Sequence, residues 1–172
     1  MKSLDDFTDF KEGNWNGWKN GPGIRPGGEL KTEKGPNTFW SGKLEKDRGS
    51  ATGIQPSLFK EFAIQDGEER KAQYHVTFDY RIHPLEPGEA NIIAITVTTE
   101  TTRQWVNNWT KSDTELNKWH HLTWGFIGPL FADGSKQVWI GTRGGQDRET
   151  FRKVDIDNIR VQRLSFQYEQ RS

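Results

Sequence analysis

Lys153-Val154-Asp155-Ile156-Asp157-Asn158-Ile159-Arg160-Val161-Gln162-Arg163-Leu164 is the stretch whose reading decides the fold. Val154 and Ile156 fall on one face of an extended chain. Ile159 and Val161 also alternate, but with the opposite parity. A period of two that slips by one residue marks an irregularity at Asp157-Asn158, most simply a bulge. The chain therefore closes on a long strand, kinked at an acid-amide pair. Such a strand cannot bury its apolar face alone, so the rest of the chain must supply a sheet.

Working outward, Ala72–His83 is the cleanest pattern. Tyr74, Val76, Phe78, Tyr80 and Ile82 share one face, and His75, Thr77, Asp79, Arg81 and His83 share the other. So sustained an alternation reads as strand. Residues 38–44, Leu58–Ile64, Asn91–Thr99, Gln104–Thr110, Trp119–Ile127 and Gln137–Thr142 read as further strands, and Glu29–Thr32 as a short one. In Trp119–Ile127 the residues Leu122, Trp124 and Phe126 fall together. Residues 45–57, which contain Pro56, read as a polar loop, and 66–71 as a solvated charged turn. No window shows a helical period. The expectation is all-β, about nine or ten strands spaced as in a sandwich. A single domain over 1–164 and a tail over 165–172 follow, with no linker between.

The bulk numbers agree. The chain has 172 residues, with Lys+Arg and Asp+Glu balanced at 24 each. That balance gives no field for nucleic acid. Hydrophobic content is only 31%, yet there are 8 Trp and 10 Phe, so the core is built from few, large side chains. The absence of Cys excludes disulfides and thiolate chemistry. The first six residues lack the apolar run of a secretory leader, and no segment has the length of a membrane span. Either the protein acts inside the cell, or it leaves by lysis or a leaderless route, or a leader has been removed.

With the strands placed, a resemblance emerges. Asp9-Phe10-Lys11-Glu12-Gly13 followed by Gly17-Trp18 resembles the opening of the jelly-roll carbohydrate-binding modules attached to xylanases and glucanases. Tyr74–Ile82 resembles their long central strand. Trp119–Phe126, Val138–Gly141 and Asp155-Ile156-Asp157-Asn158-Ile159-Arg160-Val161 resemble their close. The resemblance runs nearly the whole length and implies a galactose-binding-like jelly roll. It also implies one structural calcium, held by oxygens of the opening strand and the final Asp. Asp157 matches that Asp. The opening departs, because Lys11 follows Phe10 and Glu12 comes one place later. Asp9, Glu12 and Asp157 would supply the oxygens a hard cation wants only with a shift of register.

The residues opposite the core faces are the candidate site. His83, Arg81 and Asp79 lie opposite Val76-Phe78-Tyr80. Trp139 lies opposite Val138 and Ile140, on the parity of Arg143. Trp105, Asn107 and Trp109 share a face, and His121 joins them. Pooled, they make one aromatic and polar cleft suited to a sugar: rings stack on a pyranose while Asn, Arg and Asp take hydroxyls. Trp18, Trp40 and Trp124 read as core, and Trp15 as packing. His120 and His121 point to opposite faces, so they make no metal pair.

Three functions compete. A non-catalytic, lectin-like glycan binder needs only the aromatic platform. A glycoside hydrolase or lyase needs paired carboxylates, and the Glu-x-Asp-x-Glu strand of one sandwich hydrolase family is absent. A structural or partner-binding jelly roll of a larger particle would use exposed Trp against protein. The glycan binder is the expectation.

Overall fold

The computed structural model describes residues 4–22, 26–45, 55–65, 67–89, 92–101, 115–122, 126–144 and 150–164. Its strands are β1 (Asp5–Thr8), β2 (Lys19–Asn20), β3 (Glu29–Glu33), β4 (Asn37–Glu45), β5 (Gln55–Glu61), β6 (Gln73–Ile82), β7 (Ile92–Thr98), β8 (His120–His121), β9 (Phe126–Gly128), β10 (Gln137–Gly144) and β11 (Thr150–Leu164). One helical turn, α1 (Glu68–Lys71), precedes β6. A seven-stranded sheet runs β3-β4-β11-β6-β8, with β1 also on β11 and β9 also on β6. A four-stranded sheet runs β2-β5-β10-β7. Every pairing is antiparallel. This is the expected all-β jelly-roll sandwich of two antiparallel sheets.

The closing strand is the centre of the larger sheet. It pairs with β4 on one side and β6 on the other. Its register against β6 shifts between Asp157 and Arg160, and Asn158 takes φ 50°. That shift explains the parity slip: Val154, Ile156, Ile159 and Val161 are all fully buried. On β6 the alternation is complete, with every second residue from Tyr74 to Ile82 buried. Ile95, Val97, Val138 and Ile140 face them from the smaller sheet.

Large aromatic side chains fill the space between, as the composition implies. Phe10, Trp18, Trp40 and Phe131 are all buried. The two indoles keep their N–H groups satisfied. Trp18 donates to Thr8 Oγ1 at 3.2 Å, and Trp40 donates to Asn20 Oδ1 at 2.8 Å. Asn20 in turn donates to the Gly28 carbonyl at 2.7 Å. Gly28 lies so close to the Trp40 ring that a Cβ there would meet it at 2.2 Å.

Four readings of the chain change. Pro56 belongs to β5 rather than to a loop, opposite Gly141 at the point where the β5–β10 register shifts. A strand proline is tolerated where the ladder is already broken. The 119–127 stretch is two short strands, both on β6, not one. Residues 143–152, a polar stretch that reads as a loop, lie partly in strands, because β10 extends to Gly144 and β11 begins at Thr150. The 66–71 turn is anchored, not simply solvated. Arg70 donates to the Phe131 carbonyl at 2.9 Å, and Glu69 pairs with Arg163 at 2.8 Å and accepts from Tyr74 Oη. Burial, then the Glu69 carboxylate, push the Tyr74 hydroxyl well above its ordinary pKa. The Trp18 and Trp40 core assignments stand, and Trp15 packs edge-on to Phe10 at 6.2 Å. Trp124 and the 165–172 tail lie outside the described residues.

Candidate functional site

A strand buried on one face presents its alternate residues on the other. On the larger sheet that outer face carries Glu33 from β3, Phe39 and Ser41 from β4, Asp155 from β11, Arg81 from β6 and His83 just past its end. Trp119, just before β8, leans over them. Its ring meets Phe39 edge-on, with centroids 5.3 Å apart and planes at 76°. The Arg81 guanidinium lies over both rings, 4.8 Å from the Phe39 centroid and 4.6 Å from that of Trp119. These are cation–π distances.

Two carboxylates hold the guanidinium in place. Arg81 donates to Glu33 Oε2 and, through Nε, to Asp155 Oδ2, each at 2.8 Å. Glu33 Oε1 also accepts from Trp119 Nε1 at 3.0 Å. Burial alone would raise the Glu33 pKa, but Arg81 and Trp119 outweigh it and hold the carboxyl below its ordinary value. Burial likewise opposes the charge on Arg81, and the same two carboxylates outweigh it. Asp155 is only 1% exposed and shares Oδ2 with His83 Nε2 at 2.6 Å. The result is a closed ring of partners around a half-buried indole, with each side chain fixed by at least one other.

Next along the face, Asp79 joins His121 to the bulge. Its Oδ1 lies 2.6 Å from His121 Nδ1, and its Oδ2 accepts from Asn158 Nδ2 at 2.8 Å. His120 points the other way and stacks on Tyr80 at 5.5 Å, so the two histidines diverge as their parity requires. Beyond the bulge the face continues with Thr77, His75 and Arg160, flanked by the exposed Phe7 and Ile127.

Arg81, Asp79, His83 and His121 thus share one surface, as read from the sequence. Trp139 does not join them. It lies on β10, with Phe59 and Thr98 as its cross-strand neighbours, and its Nε1 donates to Gln137 Oε1 at 2.8 Å. Since β6 and β10 belong to different sheets, their outer faces point away from each other. Alternation separates inside from outside but does not say which sheet a strand enters, and the single pooled cleft fails for that reason. Arg143 is on β10 too, and its side chain is outside the described set. Trp105, Asn107 and Trp109 lie outside the described residues.

Phe39, Trp119, Glu33 and Asp155 went unread, although signals for three of them exist. Phe39 and Trp40 are adjacent on a strand, so placing Trp40 between the sheets puts Phe39 on the opposite face, where it is only 4% exposed. Trp119 has the parity of His121, and Asp155 the parity opposite to Val154 and Ile156.

The calcium expectation named Asp9, Glu12 and Asp157. Asp157 is 2% exposed, accepts the Asn158 N–H at 2.7 Å, and has its pKa raised to about 6, first by burial. Asp9 is paired with Lys11 at 2.9 Å, and Glu12 is exposed, in a left-handed turn with φ 55°. Among the described residues no three carboxylate or imidazole groups gather as a metal site would require.

No protein-family model and no curated protein sequence matches the chain. Solved structures do. The CBM22-1 xylan-binding domain from Paenibacillus barcinonensis Xyn10C superposes with a TM-score of 0.58 at 8% identity, over 97% of this chain and 100% of that one. The CBM22-2 xylan-binding domain of the same protein gives 0.54 at 14% identity, over 92% of this chain and 99% of that one. At such identities the likeness is one of fold, and it is the fold of a carbohydrate-binding module.

Proposed function

We propose that this protein binds a glycan, without cleaving it, on the outer face of the seven-stranded sheet. The observation that carries the reading is the preassembled Trp119–Phe39–Arg81 cluster braced by Glu33 and Asp155. An indole held in one orientation offers a sugar ring an apolar surface, with no rotamer entropy left to lose on binding. Glu33, Asp79, His83 and His121 surround it with hydroxyl partners. The shared fold with two xylan-binding domains supports the same reading.

Cleavage is disfavoured by the state of the carboxylates. A glycosidase needs a carboxylic acid kept protonated beside the bond, with a second carboxylate facing it. Glu33 is pushed the other way, towards ionisation. Asp157 has the pKa of a general acid but is buried away from any ligand.

Intrinsic Trp fluorescence against xylans, glucans, mannans and galactosides tests the reading. A saturable change for one class is expected, together with its loss in a folded Trp119→Ala protein. Silence across the panel, or full binding by Trp119→Ala, would remove glycan binding at this face.

A further inference from the structure

At the far end of the face that carries the aromatic cluster, two large apolar side chains stand in solvent. Phe7 of β1 is 54% exposed, and Ile127 of β9 is 56% exposed. Phe7 points outward because its neighbours turn in: Thr8 is buried, and Asp6 reaches Lys60 of the opposite sheet at 2.7 Å. Across the ladders Phe7 lies opposite Arg160 and Arg160 opposite Thr77, while Ile127 lies opposite His75. Thr77 and His75 share the outer side of β6 with Asp79 and Arg81. One strand therefore runs from beside Trp119, which stands level with Arg81, to the space between Phe7 and Ile127.

The order of groups along this line is apolar, polar, apolar. Trp119 stands at one end. Asp79, held by His121 at 2.6 Å and Asn158 at 2.8 Å, forms the middle. Phe7 and Ile127 flank the other end. At the rise of an extended strand, Thr77 is roughly 13 Å from Arg81 and His75 roughly 20 Å, farther than one pyranose ring can bridge. The floor between Phe7 and Ile127 is kept low. Thr77 is short, and Arg160 is drawn aside to the β1 edge by two hydrogen bonds to Asp5, at 2.9 and 2.7 Å. A single exposed apolar residue needs no explanation. Two that flank one strand, in line with a preassembled indole, do.

We propose that Phe7 and Ile127 form a second sugar subsite, so that the preferred ligand is a glycan chain of several residues lying along β6 from the Trp119 platform to Phe7. The inference rests on the glycan-binding reading and adds the length of the ligand. A sugar chain repeats apolar ring faces and hydroxyl edges along its length. Its ring faces suit Trp119 and Phe7, and its hydroxyls suit the Asp79–His121 pair between them. A disaccharide would fill the platform and leave Phe7 and Ile127 in water.

Calorimetric titration with xylo-, gluco-, manno- and galacto-oligosaccharides, each from disaccharide to hexasaccharide, tests it. Within the class that binds, affinity is expected to rise about tenfold with length, the worth of one further aromatic contact. In Phe7→Ser that gain should shrink to about threefold or less, and with Ile127→Ser added it should vanish. Disaccharide binding should be unchanged in both variants. Both side chains are exposed, so the variants should melt as the parent does, and a lost gain cannot be assigned to lost folding. Equal affinity for all lengths in the parent overturns the subsite and leaves the platform standing. A gain that survives the double substitution places the extra contacts elsewhere and overturns it too. Loss of disaccharide binding in folded Phe7→Ser overturns it as well, by making Phe7 part of the first platform. Silence towards every length of every class overturns the glycan reading and the subsite with it.

Discussion

Asp157 is a carboxyl group whose surroundings disfavour its charge. Burial is the main cause, and the nearby Asp79 and Asp9 carboxylates add to it. Its pKa rises from an ordinary 3.8 to about 6 on folding. Between those values the folded chain holds a proton that the unfolded chain has released. Stability from this group is therefore complete below about pH 4 and is lost as pH rises through 6. Asp157→Asn keeps an acceptor for the Asn158 N–H and removes the buried charge. We expect the variant to gain on the order of 1–2 kcal/mol at pH 8, and to lose the decline between pH 4 and 6. Urea melts of both proteins from pH 4 to 8 read this directly. Parallel stability curves would place the titration elsewhere. The same residue was legible in the sequence as the acid of an acid-amide pair. What the sequence lacked was its surroundings, because Asp79 comes from another strand and the burial comes from the whole sheet.

At the scale of elements, β11 determines how the outer face is laid out. Its bulge lets Val154, Ile156, Ile159 and Val161 all reach the core despite their opposite parities. On the outer side the Asn158 amide ties β11 to Asp79 of β6 at 2.8 Å. The left-handed φ of 50° suits Asn and Gly and strains a β-branched residue. Asn158→Val should thus cost about 2–3 kcal/mol, combining backbone strain with the lost bond. Asn158→Gly should cost roughly 1 kcal/mol, since it forfeits only the bond. Chemical denaturation separates the two. Equal costs would mean that the amide bond, not the backbone, dominates. The bulge was legible because apolar residues can change parity within one strand, and all stay buried, only if the ladder takes up an extra residue. The β6 alternation was legible because every second side chain is apolar over its whole length. The division of 119–127 into two strands left no such mark, because both pieces pair with the same neighbour and keep their parity.

The whole molecule presents two outer faces, back to back, and an aromatic residue stands on each. Trp119 belongs to the seven-stranded sheet, braced by Arg81 and Glu33. Trp139 belongs to the four-stranded sheet, with Phe59 across the ladder and Gln137 on its indole N–H. Sequence alternation placed both Trp139 and Arg81 outside, correctly, and could not see that outside has two directions. That ambiguity is intrinsic to a sandwich, since each sheet alternates in the same way along its strands. The polar groups resolve it. Among the described residues, the larger sheet gathers two carboxylates, a guanidinium and an imidazole around its ring, whereas the indole N–H of Trp139 donates to the amide of Gln137. Binding that needs directional hydroxyl contacts belongs with the former. Trp119→Ala should weaken glycan binding by about thirtyfold, the cost of removing a central aromatic contact. Trp139→Ala should change it by less than about twofold, while costing some stability through lost packing. Calorimetric titration of both variants, beside their thermal melts, tests the assignment. A binding loss in Trp139→Ala with Trp119→Ala unaffected would move the site to the opposite sheet and make the Arg81 cluster a structural brace.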